Sequence, residues 1–316
     1  MFSKATKAQT FLRLLVAGPS GSGKTYTALR MAHALASEVG GRIALVDTER
    51  GSASKYAGDE NPDGGSFDFD VARLDRFAPE DYMRLVRFAG QNGYKVLVID
   101  GLSHAWFGDG GILSIVDAKG EGFAGWRIGA PKHREFVEAL LSFPGHLVAT
   151  ARTKTEWVME QNSRGKTAPR RAGVGVVQKE GLEYEFDIGL RLDVDHRAHV
   201  DKTRCAALDG WAGSKPGAEF VQQALAWLQQ GRPVDDLRRE KVIKWLAKFA
   251  AHLAIDIDWL YQVIEACITD GVSVGDASVE VLEGCVTQLR NKGSRALLFT
   301  EYERVASNAR EESHEE

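Results

Sequence analysis

A short stretch near the N-terminus combines small residues, a lysine and a hydroxyl in an order suited to binding phosphate. Residues 18–25 have the sequence GPSGSGKT and fit the pattern G-x-x-x-x-G-K-[ST] in full. Glycines in such a loop allow successive backbone N–H groups to turn toward an anion, which a Cβ would obstruct. The lysine adds a positive charge beside the β- and γ-phosphates, and the threonine hydroxyl can ligate magnesium. The predicted nucleoside triphosphate site comprises Gly18, Pro19, Ser20, Gly21, Ser22, Gly23, Lys24, Thr25 and the adjacent Tyr26.

Two aspartates close predicted buried strands and are candidates to hold a magnesium ion. Asp100 ends the segment KVLVID, and Asp47 ends the segment RIALVD. We favour Asp100 because Ser103 and His104 follow it, where a sensor of the γ-phosphate could lie. Hydrolysis also requires a carboxylate that orients or deprotonates the attacking water. Glu49, two residues beyond Asp47, is the candidate catalytic base.

Strand-like and helix-like segments alternate through the first half of the chain. The strands are nearly continuous apolar runs, which is typical of a parallel sheet covered on both faces by helices. The sequence therefore predicts an α/β fold with a mostly parallel sheet. Its predicted strands lie at 11–17, 42–47, 95–100 and 146–151, and its predicted helices lie at 24–39, from Pro79 onward and at 133–142.

The pattern changes after Thr153. Residues 160–175 contain Gly and Pro without periodicity and predict an irregular, mobile loop. The segments LEYEFDIGLRLDVD and AHVDKTRCAAL predict antiparallel strands that close the sheet. We divide the chain into a core at 1–232 and a smaller, helical C-terminal region at 233–316. One helical face of that region is predicted from Val242, Trp245, Leu246, Phe249 and Leu253.

Composition and charge narrow the class of protein. The formal net charge is −4, and from Pro233 onward 16 acidic residues face 10 basic ones, ending in an acidic tail. No apolar run reaches the length of a membrane span, and the N-terminus lacks the pattern of a signal peptide. The three cysteines, far apart and without zinc-ligand spacing, suit a reducing compartment. We therefore expect a cytoplasmic protein that does not act in a membrane.

Four separated motifs resemble the RecA-like ATPases of phages, the Sak-type single-strand annealing and recombination proteins. The motifs are FLRLLVAGPSGSGKTYTAL, VLVIDGLSHAW, HLVATARTKTEWV and GLEYEFDIGLRLD with DKTR, within about residues 1–212. The resemblance implies a RecA-like core that uses ATP and Mg²⁺ and hydrolyses ATP. It also implies a homo-oligomer, a ring or a filament, on single-stranded DNA with ATP at the subunit interfaces. A single-strand DNA-binding protein is a further candidate partner, and phage origin would place the protein in the host cytoplasm.

The resemblance also assigns roles to individual residues. Residues 42–57 match the RecA segment that carries the catalytic glutamate, and the spacing from Lys24 to Glu49 suits that family. The strand that ends near Thr150 matches the strand whose tip reports the γ-phosphate to a DNA-binding loop. RecA has a glutamine at that tip, whereas this chain offers Thr150, Arg152 or Thr153.

Two later cations complete the assignments that follow from the resemblance. Lys202 and Arg204 lie on a late strand, where RecA-type proteins place cations that reach the phosphates of the neighbouring subunit. A cation supplied in this way neutralises charge in the transition state and makes hydrolysis depend on assembly. Surface cations on an edge strand would have the same appearance in the sequence.

The segment from Arg152 to Arg171 is a candidate DNA-contacting surface. It carries a local net charge of +4 and a tryptophan, and single-strand binding combines cations with rings that stack on bases. A second candidate is the glycine-rich stretch 108–130, with Phe123, Trp126 and Arg127. The predicted DNA-binding residues are Arg152, Lys154, Trp157, Arg164, Lys166, Arg170 and Arg171.

Other classes of protein use the same phosphate loop. A small-molecule kinase would need an acceptor pocket and an arginine-rich lid, for which residues 164–171 are the candidate. A hexameric helicase or packaging motor could be built on the same core. A GTPase is disfavoured, since the Asn291–Lys292 pair is followed by Gly293 and Ser294 and lacks the aspartate that recognises guanine.

Overall fold

The structure of the protein is a computed structural model. This structure describes residues 4–118, 123–161 and 167–312. The chain divides into two compact units, Phe11–Leu228 and a second unit that joins Met1–Thr10 to Gln229–Glu316. No helix within the described ranges is both long enough and apolar enough to cross a bilayer.

The larger unit is built on one twisted sheet. Its strands run in the order β3-β2-β4-β5-β1-β7-β8-β9, and β6 pairs with β5 outside this path. The six central strands from β3 to β7 are parallel, whereas β8 and β9 are antiparallel. The strands are β1 Arg13–Gly18, β2 Ile43–Asp47, β3 Asp70–Arg73, β4 Val96–Asp100, β5 His146–Gln161, β6 Thr167–Val176, β7 Ile188–Leu192, β8 Arg197–Thr203 and β9 Ala212–Ser214.

Helices cover both faces of this sheet. Leu14 and Val16 of β1 face one buried cluster, and Leu15 between them faces the other, because alternate strand residues point to opposite faces. The predicted fold class, an α/β fold with a mostly parallel sheet between helical layers, is confirmed. The helices of this unit are α1 Lys24–Val39, α2 Pro79–Gln91, α3 Ser103–Phe107, α4 Ile112–Ala118, α5 Phe123–Leu141 and α6 Ala218–Gln229.

Of residues 160–175, predicted to be an irregular loop, the described residues 160, 161 and 167–175 instead belong to a two-stranded ribbon. β5 continues through Gln161, ten residues beyond the predicted end of its strand at Ala151. It then pairs with β6 in antiparallel register, from Thr153 opposite Val176 to Gln161 opposite Thr167. For these residues the loop prediction was wrong, because backbone pairing between two adjacent segments needs no apolar periodicity, and residues 162–166 lie outside the described part of the chain.

The end of the sheet also differs from the prediction. At this end of the sheet β8 and β9 are antiparallel, whereas β7 runs parallel to β1 and extends the parallel part of the sheet. The segment predicted as a single long strand begins with a 3₁₀ turn, Leu182–Glu185, before β7. Helix α5 starts at Phe123 rather than at 133 and contains Pro131, so the glycine-rich stretch 108–130 is largely helical where described.

The second unit is helical, as predicted. Its hydrophobic cluster includes Val242, Leu246 and Ala250, and Trp245 stacks on Phe249 with ring centroids 4.8 Å apart. The N-terminal segment belongs to this unit through backbone hydrogen bonds between Gln9 N and Arg232 O and between Arg232 N and Lys7 O. The helices are α7 Val234–Leu253, α8 Ile257–Cys267, α9 Val279–Arg290 and α10 Lys292–Glu312.

Candidate functional site

The phosphate loop joins β1 to α1 at the carboxyl edge of the sheet. Gly23 precedes the first residue of α1 and has φ 86°, and Gly21 has φ 78°, both in the left-handed region that favours glycine. A Cβ on Gly18 would lie 2.6 Å from the Ser22 Oγ and 2.8 Å from the Leu192 carbonyl oxygen. The loop therefore requires the glycines that the sequence places at these positions.

Lys24 and Thr25 face the cavity at the start of α1. Lys24 Nζ donates a hydrogen bond to the Pro19 carbonyl at 2.7 Å, so the ammonium folds back over the loop. Burial lowers the pKa of Lys24, while the charges of Asp100 and Glu49 raise it. The Thr25 hydroxyl donates to Asp100 at 2.9 Å. A helix N-terminus with a lysine and open backbone donors fits a polyphosphate anion.

The two candidate metal-binding aspartates occupy adjacent strands in direct register, Asp47 on β2 and Asp100 on β4. Asp100 lies against the phosphate loop, and its second oxygen accepts a 2.6 Å hydrogen bond from the Thr150 hydroxyl. Asp47 instead accepts a 2.7 Å hydrogen bond from the Glu49 N–H, which orients the loop after β2. A carboxylate beside a threonine hydroxyl is a donor set that Mg²⁺ accepts together with phosphate oxygens.

Glu49 forms an ion pair with Arg152 inside this cavity. The Arg152 Nη2 atom lies 2.9 Å from Glu49 Oε1 and 2.8 Å from Oε2, and Nε lies 3.2 Å from Oε1. Arg152 is on β5 at the root of the ribbon, and its backbone N–H donates to the Ser103 Oγ at 2.9 Å. The predicted catalytic base and a predicted DNA-binding residue are thus direct partners.

His104 lies behind this ion pair. Its Nδ1 is 2.8 Å from the Thr48 Oγ1 and 4.0 Å from Glu49 Oε1, and its ring stacks on Phe77. Burial lowers the pKa of His104, so the neutral imidazole is favoured near neutral pH. Ser103 and His104 therefore support Arg152 and the Thr48–Glu49 segment from within the protein.

Five further residues line the same cavity, of about 480 Å³, and were missed by sequence reasoning: Thr27, Ser52, Tyr56, His196 and Lys215. Ser52 and Tyr56 follow Glu49, and Tyr56 packs beside Tyr26 with ring centroids 5.6 Å apart. His196 and Lys215 come from loops beyond β7 and β9. No motif marks these loops, because their approach to the phosphate loop depends on the strand order. The predicted Tyr26 also lines the cavity.

The cations predicted to act on a neighbouring subunit are engaged within the chain. Arg204 Nη1 lies 2.8 Å from Asp187 Oδ1, and its Nη2 donates to the Tyr184 carbonyl. Lys202 Nζ donates to the Tyr184 and Phe186 carbonyls, and burial lowers its pKa. Both residues belong to the β7–β8 side of the sheet, away from the strands that carry Glu49 and Asp100.

The predicted DNA-binding residues follow the ribbon. Arg152 lies at its root, Lys154 is exposed on β5, and Trp157 also belongs to β5. Arg170 and Arg171 belong to β6. The predicted Arg164 and Lys166 lie outside the described residues.

Replacing Asp100 by asparagine is expected to stabilise the protein without nucleotide by about 1–2 kcal/mol at pH 7.5, as loss of a functional buried charge often does. Burial raises the pKa of Asp100, although hydroxyls of Thr150 and Thr25 oppose this. The folded state therefore binds more protons than the unfolded state above the ordinary aspartate pKa, and stability falls as the pH rises through that window. Above that pH window Asp100 is ionised in both states, and its buried charge continues to lower the free energy of unfolding.

Urea unfolding of the Asp100→Asn variant and the wild type at pH 7.5 and pH 5 measures this cost. The stability gain should be larger at pH 7.5 than at pH 5, because the aspartate is less ionised at the lower pH. A gain of equal size at both pH values, or a loss at pH 7.5, would contradict the assignment of a buried carboxylate charge.

Comparison with known proteins identifies the family. A family model described as an AAA domain, AAA_24, matches residues 10–230, which is more than half of the chain. No curated protein matches the chain in sequence. A solved structure, the KaiC-like protein from the hyperthermophilic archaeon Pyrococcus horikoshii OT3, is 19% identical with a TM-score of 0.39, covering 64% of this chain and 85% of its own. The chain belongs to the AAA domain family AAA_24 and is a P-loop ATPase.

Proposed function

We propose that this protein is a DNA-stimulated ATPase that acts on single-stranded DNA in phage-type recombination or annealing. The observation that supports this function is the position of the basic ribbon. Arg152 is the last β5 residue paired with β1, at Gly18, and the ribbon begins at the next residue. The side chain that holds Glu49 thus stands where the nucleotide site meets the proposed DNA-contacting surface.

Hydrolysis in this proposal depends on the residues around the phosphate loop. Lys24 and the loop N–H groups would bind the phosphates, and Thr25 with Asp100 would hold Mg²⁺, which would supply charge neutralisation when bound. Glu49 orients the attacking water once Arg152 no longer occupies both of its oxygens. DNA bound along the ribbon displaces Arg152 and so makes turnover depend on DNA.

The proposed active form is a ring or filament of identical subunits, which the resemblance to RecA-like phage proteins supports. In such an assembly Arg204 would exchange its Asp187 partner for a phosphate bound to the neighbouring subunit. Lys202, held by two carbonyl groups, would supply a second positive charge at that interface. Assembly and hydrolysis would then be linked through the last antiparallel part of the sheet.

The first experiment measures ATP hydrolysis with and without single-stranded DNA, with Lys24→Ala as the blank. Stimulation by single strands is the expected result. Turnover that ignores DNA would contradict the proposal, and turnover that requires a small-molecule acceptor would favour a kinase. Displacement of an annealed strand during hydrolysis would assign the core to a helicase instead.

Replacing both Arg170 and Arg171 by alanine should weaken binding to single-stranded DNA and flatten its salt dependence. The slope of log K against log salt is negative, and each lost phosphate contact reduces its magnitude by about one unit. Fluorescence anisotropy of a labelled oligonucleotide over a range of salt concentrations gives this slope. The wild-type slope in the double variant would remove these arginines, on β6 of the ribbon, from the DNA-binding surface.

Replacing Arg152 by glutamine should raise hydrolysis in the absence of DNA and abolish further stimulation by DNA. Glutamine cannot form the three charged hydrogen bonds that Arg152 now makes to Glu49. The matched control for turnover without DNA is Lys154→Gln, two residues along the same strand, which removes a cation without touching Glu49 and should leave basal hydrolysis unchanged. A variant at Arg152 with low basal turnover and full stimulation by DNA would show that the ion pair does not restrain the base.

A further inference from the structure

The nucleotide cavity has two chemically different sides, which meet at β1. On one side β2, β4 and β5 bring Glu49, Asp100 and Arg152 to the phosphate loop. On the other side the β7–β8 turn brings His196 and the segment after β9 brings Lys215. The first side contains the groups expected to act on the γ-phosphate. The second side contains a lysine and an imidazole to which no role has been assigned.

The backbone of Lys215 is held in place by the phosphate-loop helix. Arg30 of α1 is buried and forms a bidentate ion pair with Asp63, with N–O distances of 2.9 and 2.7 Å. Its remaining terminal nitrogen donates to the Lys215 carbonyl at 2.6 Å. A Cβ on Gly217 would lie 2.4 Å from both Arg30 Nη2 and Asp63 Oδ2. The segment can therefore approach the Arg30–Asp63 ion pair this closely only with glycine at position 217. Arg30 and Asp63 therefore position Lys215 beside α1.

His196 is fixed by a compact turn. The Asp193 carboxylate accepts hydrogen bonds from the backbone N–H groups of Asp195 and Arg197, each at 2.9 Å. The His196 ring then stands over the end of the phosphate loop, because a Cβ on Gly23 would lie 3.1 Å from His196 Nδ1. This places the imidazole beside the first turn of α1.

Both residues have positive φ angles and side chains without protein partners. His196 has φ 59°, which histidine tolerates, whereas Lys215 has φ 49° in a region that side chains other than those of Asn, Asp and His rarely adopt. Backbone strain of the kind seen at Lys215 is found preferentially at ligand-binding positions. In the described parts of the chain, neither the Lys215 ammonium nor the His196 imidazole forms a hydrogen bond or ion pair, and both side chains are exposed.

We propose that Lys215 and His196 bind the α- and β-phosphates of the nucleotide from within the same subunit. This inference rests on the nucleotide site of the proposed function and adds a cationic wall opposite the carboxylates. Lys215 supplies the positive charge. His196 packs over the phosphate loop and donates a hydrogen bond to a phosphate oxygen. Arg30 and Asp63 are positioning residues that act through the Lys215 backbone. Because the two groups lie away from Glu49 and Asp100, we expect them to contribute equally to the affinities for ADP and ATP.

Isothermal titration calorimetry of the full chain with ADP, ATP and AMP in the presence of Mg²⁺ tests this assignment. Lys215→Ala should weaken ADP and ATP by the same factor, about tenfold for a lost charged hydrogen bond, and should weaken AMP less. Lys215→Arg should restore most of the affinity. Lys248→Ala removes an exposed lysine of α7 in the other unit and should bind as the wild type does.

The positioning role of Arg30 and Asp63 is tested by a double-mutant cycle. Asp63→Asn should also weaken ADP binding, but the double variant with Lys215→Ala should bind no more weakly than Lys215→Ala alone. Wild-type ADP affinity in Lys215→Ala, with affinity lost in Lys24→Ala, would overturn this inference and leave the proposed function standing. Failure of the wild type to bind ADP would overturn both. Absence of DNA stimulation with these affinities as expected would overturn the proposed function alone.

Discussion

Replacement of Glu49 by glutamine is expected to lower ATP turnover by about 10²–10⁴-fold, the usual effect of removing a general base. Glutamine retains the shape of the side chain and can still accept a hydrogen bond from Arg152, but it cannot take a proton from water. Glu49 does not touch Lys24 or Thr25 through any hydrogen bond in the described structure. Nucleotide affinity should therefore change little.

The measurement pairs single-turnover hydrolysis with a direct titration of ATP. Glu180→Gln is the matched control, because Glu180 is exposed and follows the ribbon outside the cavity. Full turnover in Glu49→Gln would assign the base elsewhere, and Asp47 would become the next carboxylate to test. It lies two residues earlier, and one of its buried oxygens has no hydrogen-bond partner in the described part of the chain.

Replacement of Arg13 by methionine is expected to destabilise the larger unit by about 3–5 kcal/mol, because three carbonyl groups lose a donor at a cost of about 1–3 kcal/mol for each buried group left unsatisfied. The Arg13 guanidinium is buried and donates to the carbonyl groups of Leu141, Phe143 and Gly145, at the end of α5 and the turn into β5. Burial lowers the pKa of Arg13 to about 10. Methionine would leave these carbonyl groups without donors.

Urea unfolding measures this effect at equilibrium. Arg13→Lys should lie between the wild type and Arg13→Met, since an ammonium can satisfy fewer carbonyl groups than a guanidinium. Arg42→Met is the control, because its ion pair with Asp70 is exposed and such pairs contribute about 0–1 kcal/mol. Stability of Arg13→Met within 1 kcal/mol of the wild type would show that water replaces the lost donors.

The parts of the site that follow one another in the sequence could be predicted well. Residues 18–25 form the expected loop because steric limits on the backbone and the charge of Lys24 act within eight residues. Asp100 could be placed at the loop because strands that follow the same pattern end at the same edge of a parallel sheet. The helical character of the C-terminal region followed from its apolar periodicity.

Contacts between distant segments could not be predicted in this way. The pairing of Glu49 with Arg152 joins residues 103 positions apart and requires β5 to lie between β1 and β4. The ribbon was missed because its two strands pair with each other and need no buried face, so alternation of apolar residues is absent. Lys215 and His196 belong to loops whose sequences indicate only turns.

The position of β1 in the sheet has a consequence for synthesis of the chain. β1 is the first strand to leave the ribosome, but its neighbours β5 and β7 begin only at His146 and Ile188. From the phosphate loop to Lys215, roughly 190 residues must be added, which takes about 10–40 s at about 5–20 residues per second. Until then the cavity around the phosphate loop lacks the side that His196 and Lys215 provide. Nucleotide can therefore contact both sides of its cavity only when the larger unit is nearly complete.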